Sequence, residues 1–168
     1  YQKGCEAAGH EVRSIKVAQI QFPLLRSSEE FNSGPVPADI ASAQEAFRWC
    51  NHVLIIYPLW LGTMPALLKG FFEQVFRPGF AFDESTNGWP KGKLSGRSAR
   101  IVITMGMPGL IYRWLYGAHS LKSLERNVLK FAGIKPIRDT IFGMVEEASD
   151  AGRDAWMAKM KEFGRKAY

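Results

Sequence analysis

Two short stretches of the chain combine residues that are expected to leave the backbone accessible to a ligand with side chains that could bind one. The first follows an apolar run and reads YPLWLG, residues 57–62. Trp60 in this stretch offers a flat surface for stacking. Because Pro58 fixes its own φ, it is expected to end a strand and to leave the N–H groups of residues 59–61 free for a ligand.

The second stretch, TMGMPGLIYRWLYGAH, covers residues 104–119. Thr104 and Gly106 permit a close approach between backbone and ligand. Tyr112 and His119 can each donate a hydrogen bond to a group that gains negative charge during a reaction. The alternatives remain open at this point: Trp60 as a core or interface aromatic, and the tyrosine and the histidine as structural residues.

Several classes of chemistry lack a motif. The sequence contains no GKS/T, HExxH or GxSxG pattern and no carboxylate pair, so nucleoside-triphosphate, metal and nucleophilic chemistry are not indicated. Cys5 and Cys50 have neither CxxC nor Cys/His spacing, and we expect two ordinary thiols in a reducing cytoplasm and no metal site.

Charge is distributed unevenly. Residues 1–90 carry 7 basic and 9 acidic side chains, whereas residues 91–168 carry 15 and 7. A basic half can attract nucleic acid or a phosphorylated small molecule, or it can be a solvated surface. No nucleic-acid-binding motif accompanies it, so we expect no nucleic-acid partner. The longest apolar run, residues 53–62, is about half the length that a membrane span needs.

Strand-like and helix-like patterns alternate, which predicts an α/β domain with a mostly parallel sheet. Predicted strands cover residues 11–17, 53–57, 99–105 and 136–145, and predicted helices lie near residues 38–50, 120–133 and 150–164. Residues 22–38 and 83–98 are predicted loops. In open α/β sheets ligands bind beyond the carboxyl ends of the strands, where both stretches lie. At 168 residues the chain is expected to be a single domain.

The stretch YPLWLGTMPALLKGFFEQVFRPGFAF, residues 57–82, resembles the NAD(P)H:quinone oxidoreductase family of flavodoxin-like flavoproteins. It has the family's aromatic-Pro-hydrophobic-aromatic loop, its PALLKGF segment and its GFAF segment. The stretch from Thr104 to His119 is similar to the family's second flavin loop, and RNVLKFAGIKPI continues the pattern.

The resemblance implies a flavodoxin-like, doubly wound parallel sheet of order 2-1-3-4-5 with helices on both faces. It implies a bound flavin, FAD or FMN, with NAD(P)H as co-substrate and a quinone-like acceptor in a ping-pong reaction. The flavin contacts that it implies are Pro58, Leu59, Trp60, Leu61, Thr104, Met105, Gly106, Met107 and Tyr112. Tyr112 and His119 are the implied catalytic pair, and Phe82 is an aromatic that reaches a partner's pocket.

The resemblance also implies a homodimer, and the apolar helix Pro65–Phe76 is its expected interface because its apolar residues exceed one helical stripe. The family's first strand and phosphate loop have no match here, since the sequence starts with what reads as the last turns of a helix and a Gly9 stop. We therefore expect an N-terminally truncated domain in which one edge of the sheet is re-paired or exposed.

Two alternative functions fit the same scaffold. Some relatives in this family are ancillary subunits that dock on potassium-efflux systems, and the basic second half suits such a regulatory role. A one-electron carrier resembling true flavodoxins is less favoured, because those proteins are strongly acidic whereas this chain carries a net charge of +6.

Overall fold

A three-stranded parallel sheet is the centre of the fold. The computed structural model describes residues 1–83, 88 and 90–167. Within these residues the strands β1 (His52–Pro58), β4 (Ser98–Thr104) and β5 (Ile137–Phe142) pair in the order β1-β4-β5. The short strands β2 (Phe82–Asp83) and β3 (Lys91–Gly92) form a separate antiparallel ribbon. Three of the four predicted strands, the α/β class and the flavodoxin-like fold are confirmed.

Helices cover both faces of the sheet, as expected. The described helices are α1 Gln2–Ala7, α2 Ser28–Ser33, α3 Ala38–Trp49, α4 Ala66–Val75, α5 Gly109–Trp114, α6 His119–Ser123, a π-helix Leu124–Lys130 and α7 Asp150–Lys166. One face packs on α3, α4 and α6 through a large apolar core, and the other packs on α7 through a smaller core. No helix among the described residues is both long and apolar enough to cross a membrane.

The predicted strand over residues 11–17 is wrong. Residues 11–16 have no regular structure, and Val17–Gln19 form a 3₁₀ turn. A strand needs a neighbour in its ladder, and β1 pairs only with β4 among the described residues. The apolar alternation of residues 11–17 therefore has no sheet to join. The expected open edge is found on β1.

A groove of about 790 Å³ runs along this open edge, between β1 and residues 9–17. Its lining is largely apolar and includes Val53, Ile55, Phe71 and Phe72. Two polar atoms of lining residues, His52 Nε2 and Tyr1 Oη, are buried and have no hydrogen-bond partner in the described part of the chain. Burial, followed by the nearby positive charges of Arg100 and Arg138, lowers the pKa of His52 to about 4.

Alternation along β1 decides which of its backbone groups face the groove. Asn51 O accepts from Ser98 N, and Leu59 N donates to Thr104 O at 2.8 Å, so odd-numbered residues point to β4. The N–H and C=O groups of His52, Leu54 and Ile56 consequently face the groove, where no strand of the described residues pairs with them.

The apolar excess of α4 is largely buried within the protomer. Phe71, Phe72, Val75 and Phe76 belong to the large core, and only Leu67 among the large apolar residues of the helix is well exposed. The segment before α2 covers the helix from outside, since the Phe22 ring meets the Phe71 ring at 6.1 Å. The ground for expecting a dimer interface on Pro65–Phe76 is therefore wrong.

A π-helix changes which residues of the 120–133 segment are buried. The 3.6-residue stripe predicted there includes Leu121, Leu124, Val128 and Phe131. Leu121 and Leu124 are buried and Val128 is half-buried against the same core, but the next fully buried residue is Leu129, five positions after Leu124, and Phe131 is 37% exposed. One wide turn moves every later residue around the axis. The predicted stop is confirmed, since Gly133 has φ +96°.

Both predicted loops contain some regular structure. Helix α2 lies within the loop 22–38. The loop 83–98 includes β3, and residues 84–87 and 89 lie outside the described residues.

Helices α1 and α7 cross at two glycines. A Cβ on Gly4 would collide with Lys161 O, and a Cβ on Gly164 would collide with Tyr1 O and approach Cys5 N at 3.1 Å. The backbones therefore touch, and this contact holds α1 against the rest of the domain.

We expect Gly164→Ala to lower the free energy of unfolding by about 1–3 kcal/mol, because the methyl group must push the two backbones apart. Gly152→Ala, in the same helix, is the matched control: its Cβ would make an ordinary 3.4 Å contact with Ser149 Oγ. Greater helix propensity makes that change neutral or stabilising by up to about 1 kcal/mol. Urea denaturation of both variants measures the difference, and equal stabilities would contradict the close crossing.

Candidate functional site

The two candidate stretches meet at the carboxyl edge of the sheet. Pro58 is aligned with Thr104 in the β1–β4 ladder, and Leu59 N donates to Thr104 O. The loops that follow the two strands are therefore neighbours, as the sequence predicts.

The loop after β1 is a tight turn that presents Trp60 to the outside. Trp60 and Thr63 exchange backbone hydrogen bonds at 2.9 and 3.0 Å. The turn needs positive φ at its two central residues, which are Leu61 at +48° and Gly62 at +81°. A left-handed leucine is unfavourable, and such strain is typical of functional sites. Trp60 is 62% exposed, so it is not a core aromatic.

The expectation of three free amides in this loop is wrong for two of them. Leu59 N bonds to Thr104 O and Trp60 N bonds to Thr63 O, whereas Leu61 N has no backbone acceptor among the described residues. Leu59 is odd-numbered and continues the ladder to β4, whereas the Trp60 N–H closes the tight turn with Thr63. Pro58 is an even-numbered residue. Its missing N–H would have faced the groove, so the proline does not interrupt the ladder to β4.

The loop after β4 is fixed by the loop after β5. Met105 N donates to Phe142 O at 2.9 Å, and Met144 N donates to Met107 O at 3.3 Å. Met144 is a further non-glycine residue with positive φ, at +55°. Gly143 is needed here, since a Cβ would come within 2.6 Å of Met107 O. These contacts hold residues 105–107 in one arrangement.

Within that loop, Gly106 is the open position. A Cβ on Gly106 would meet nothing within 4 Å, and the N–H groups of Gly106 and Met107 have no backbone acceptor among the described residues. Thr104 and Met107 are half-buried, and the Met105 side chain lies in the large core. Backbone donors of residues 106 and 107, not the Met105 side chain, are therefore available to a ligand.

Tyr112 and His119 lie in different environments. Tyr112 is 1% exposed, and its hydroxyl accepts a hydrogen bond from Leu121 N at 3.1 Å. Burial raises the pKa of Tyr112, against hydrogen bonds from Leu121 and Ser120 that lower it. His119 is exposed at the start of α6, and its ring lies against Gly117, where a Cβ would be 3.2 Å from Nε2. The Tyr112 hydroxyl is thus engaged inside the protein.

Phe82 lies in β2 and packs within the protomer. Its ring meets the Phe131 ring edge-on at 4.8 Å, and both residues line a small cavity of about 180 Å³ beside Phe72 and Phe76. Its contact with a partner's pocket stays a prediction.

Two buried hydroxyl residues at this edge were not predicted from the sequence. Tyr57, the residue before Pro58, bonds to Ser120 across the fold at 3.1 Å. The one sequence signal is a phenol at the end of an otherwise apolar strand, because a buried hydroxyl requires a partner.

The edge as a whole can hold a planar, polar ring. Leu61, Gly106 and Met107 offer N–H donors from two adjacent loops, and Trp60 offers an exposed face. Beside them lies an exposed apolar surface on α5 and the turn after it. Its members, which we call the α5 surface, are Leu110, Ile111, Trp114, Leu115 and Tyr116. No group of three or more potential metal-binding side chains occurs in the described part of the chain, where Cys5 and Cys50 are free thiols.

Comparisons with known proteins agree with this architecture. The sequence model of a family described as having a flavodoxin-like fold matches residues 1–163. An uncharacterized NAD(P)H oxidoreductase of Haemophilus influenzae is 28% identical over 141 residues, which are 82% of this chain and 69% of that protein. NAD(P)H dehydrogenase [quinone] 1 of Rattus norvegicus is 31% identical over 120 residues, which are 68% of this chain and 43% of that protein.

Among solved structures, an NAD(P)H:quinone oxidoreductase from Methanothermobacter marburgensis superimposes with a TM-score of 0.80 at 24% identity, covering 97% of this chain and 83% of that one. The chain spans only part of the length of the curated relatives that it matches. The family match over residues 1–163, together with the three parallel strands and helices on both faces, shows that this chain belongs to the family with the flavodoxin-like fold.

Proposed function

We propose that this chain belongs to a flavin-dependent NAD(P)H oxidoreductase that passes a hydride from NAD(P)H, through bound flavin, to a quinone or a similar acceptor. The observation that carries the proposal is the carboxyl edge of the sheet, where free N–H donors from two neighbouring loops lie beside the exposed Trp60. The Haemophilus relative is named an NAD(P)H oxidoreductase and the rat relative an NAD(P)H dehydrogenase [quinone], which supports the proposal. No relative named above is described as a channel subunit, so the ancillary role has no support among them.

The residues present fit the ring portion of a flavin. The N–H groups of Leu61, Gly106 and Met107 would bind its polar edge, and the open space at Gly106 would allow the approach. Bound FAD or FMN supplies the two-electron chemistry. Trp60 would cover one face of the ring and exclude water, and His119, which is exposed, would donate a hydrogen bond to the acceptor oxygen. The basic second half favours NADPH, which carries an extra phosphate.

The proposal includes a fourth parallel strand in the groove beside β1. The support is geometric: a groove of about 790 Å³ with a largely apolar lining, and, among the described residues, three β1 residues with unpaired backbone groups and two buried polar atoms without partners. The resemblance places such a strand and a phosphate-binding loop ahead of α1. A strand in this groove would end beside Pro58 and thus beside the flavin loops.

A homodimer and a reducing, cytoplasmic location complete the proposal. The free thiols of Cys5 and Cys50 support the location. The α5 surface, not α4, is the proposed dimer contact, because Trp114 is 85%, Leu115 78% and Leu110 72% exposed. Apolar patches of this kind mark interfaces, and this one adjoins the candidate site.

The first test is flavin binding and turnover. We expect the protein, alone or with the groove strand supplied, to quench FMN or FAD fluorescence and to reduce menadione with NADPH. Trp60→Ala should raise the flavin Kd about 10-fold through lost stacking. Met157→Ala is the matched control, because Met157 is an exposed apolar side chain of α7 outside both loops and outside the groove lining, and its loss should leave Kd unchanged. Absence of binding and turnover in both forms would contradict the proposed function.

The second test is amide hydrogen exchange along β1 by NMR. We expect the N–H groups of Leu54 and Ile56 to exchange at least about 100-fold faster than those of Val53 and Ile55, which face β4. An eight-residue peptide rich in Val and Ile, added as the strand, should slow the exchange of the even-numbered amides alone. Slow exchange of all four amides before the peptide is added would contradict the open edge.

The third test compares two surfaces by sedimentation. We expect Trp114→Glu to shift the protein toward the monomer, because a charge in a desolvated apolar contact is costly. Leu67→Glu, on the exposed side of α4, should leave the assembly unchanged. A monomer in the unmodified protein, or dissociation by Leu67→Glu alone, would argue against the α5 surface as the contact.

A further inference from the structure

Three buried hydroxyl side chains form a chain beside the candidate site. Tyr57 at the end of β1, Tyr112 on α5 and Ser120 on α6 are each at most 3% exposed. The Tyr57 hydroxyl and Ser120 Oγ are 3.1 Å apart, and Tyr112 Oη accepts from Leu121 N at 3.1 Å. Hydrogen bonds from the Ser120 side chain and backbone also lower the pKa of Tyr112. These contacts connect a strand, α5 and α6 at the place where His119 starts.

The backbone immediately before His119 needs such support. Gly117 and Ala118 are consecutive residues with positive φ, at +61° and +49°. An alanine rarely adopts this conformation, and it persists only where the surroundings determine it. Ala118 N donates to Tyr112 O at 3.0 Å, so Tyr112 holds the turn through its carbonyl and the first turn of α6 through its hydroxyl.

His119 has no other anchor in the described part of the chain. No hydrogen bond to its ring occurs there, and the ring lies beside Gly117, where an added Cβ would be 3.2 Å from Nε2. The strained turn and the buried Ser120 fix the backbone of His119 on either side, and this backbone decides where the imidazole can reach.

We propose that Tyr57, Ser120 and Tyr112 are positioning residues that fix the imidazole of His119 for reduction of the acceptor. The assignment rests on the proposed function. It gives Tyr112 a role through the backbone of residues 118–121 and adds Tyr57 and Ser120 to the site. His119 alone remains as the side chain that touches the acceptor oxygen.

Protonation states agree with positioning and not with proton transfer by Tyr57. Burial raises the pKa of Tyr57 to about 12, against the hydrogen bond from Ser120. The phenol therefore stays protonated at neutral pH and serves as a fixed hydrogen-bonding group. Phenylalanine would fill the same core volume, so the hydroxyl is the part of Tyr57 that packing does not require.

The direct test observes the imidazole itself. The chain has three histidines, so the ring signals of His119 can be separated from those of His10 and His52 by NMR. We expect Tyr57→Phe and Ser120→Ala to shift and broaden the His119 ring signals while the His10 signals stay fixed. Ser123→Ala is the matched control, because Ser123 is an exposed serine of the same helix. Unchanged His119 signals in both variants would overturn the proposal.

A kinetic test distinguishes positioning from a general loss of folding. For menadione reduction we expect Tyr57→Phe and Ser120→Ala each to lower kcat about 10-fold with KM within about 2-fold, since one misplaced donor affects the chemical step. The double variant should lose little more than either single variant, because both remove the same hydrogen bond. Additive losses, or a rise in KM alone, would count against it.

The two proposals can fail separately. The NMR measurement needs neither flavin nor turnover, so a fixed His119 in a protein that binds no flavin would overturn the proposed function and retain the positioning network. Tyr57→Phe removes a single oxygen atom, and its circular dichroism spectrum reports whether the fold is kept. If Ser120→Ala does not fold, Tyr57→Phe alone decides the outcome.

Discussion

The parallel pairing of β1 with β4 is the constraint on which the site depends. Seven residue pairs run from His52–Ser98 to Pro58–Thr104, so both strands end at the same level. A shift by one residue would exchange the faces of every side chain and separate the turn at Trp60 from the loop at Gly106. The loop after β5 then locks the second of these loops through Met105 and Met107. The position of the donors therefore follows from strand register more than from the loops themselves.

The fold was predictable where one local pattern was enough. The β-branched runs of β1 and β4 by themselves predict buried parallel strands. The helical spacing of apolar residues in α3 predicts its buried face, which contains Ile40, Ala43 and Phe47. Prediction failed where a neighbour decides the outcome. Residues 11–17 have the composition of a strand but no ladder partner, and the π-turn that buries Leu129 in place of Phe131 has no mark in the sequence.

At the site, the sequence indicated the right edge but not which groups are free. Pro58 removes an N–H donor from the open edge of β1 and not from the side that faces β4. Which side a residue faces follows from alternation along the strand, and this is known only from the observed register. The burial of Tyr112 likewise depends on how α5 and α6 pack. His119 is exposed and Tyr112 is buried, and their spacing of seven residues in the sequence does not predict this difference in exposure. Tertiary contacts place the two residues in different environments.

The same parity couples the open edge to the site. His52, Leu54 and Ile56 present their backbone groups to the groove, while the odd-numbered residues between them are paired with β4. A parallel strand in the groove would run in the direction of β1 and would end beside Pro58. Its last residue would then adjoin the turn in which Leu61 N has no backbone acceptor among the described residues and Trp60 has an exposed ring. Tyr57 lies at that end of β1, and its hydroxyl is 3.1 Å from Oγ of Ser120, the residue after His119. Filling the groove would therefore stiffen the strand end that carries the turn at Trp60 and Tyr57, so one added strand would both complete the sheet and support the proposed site.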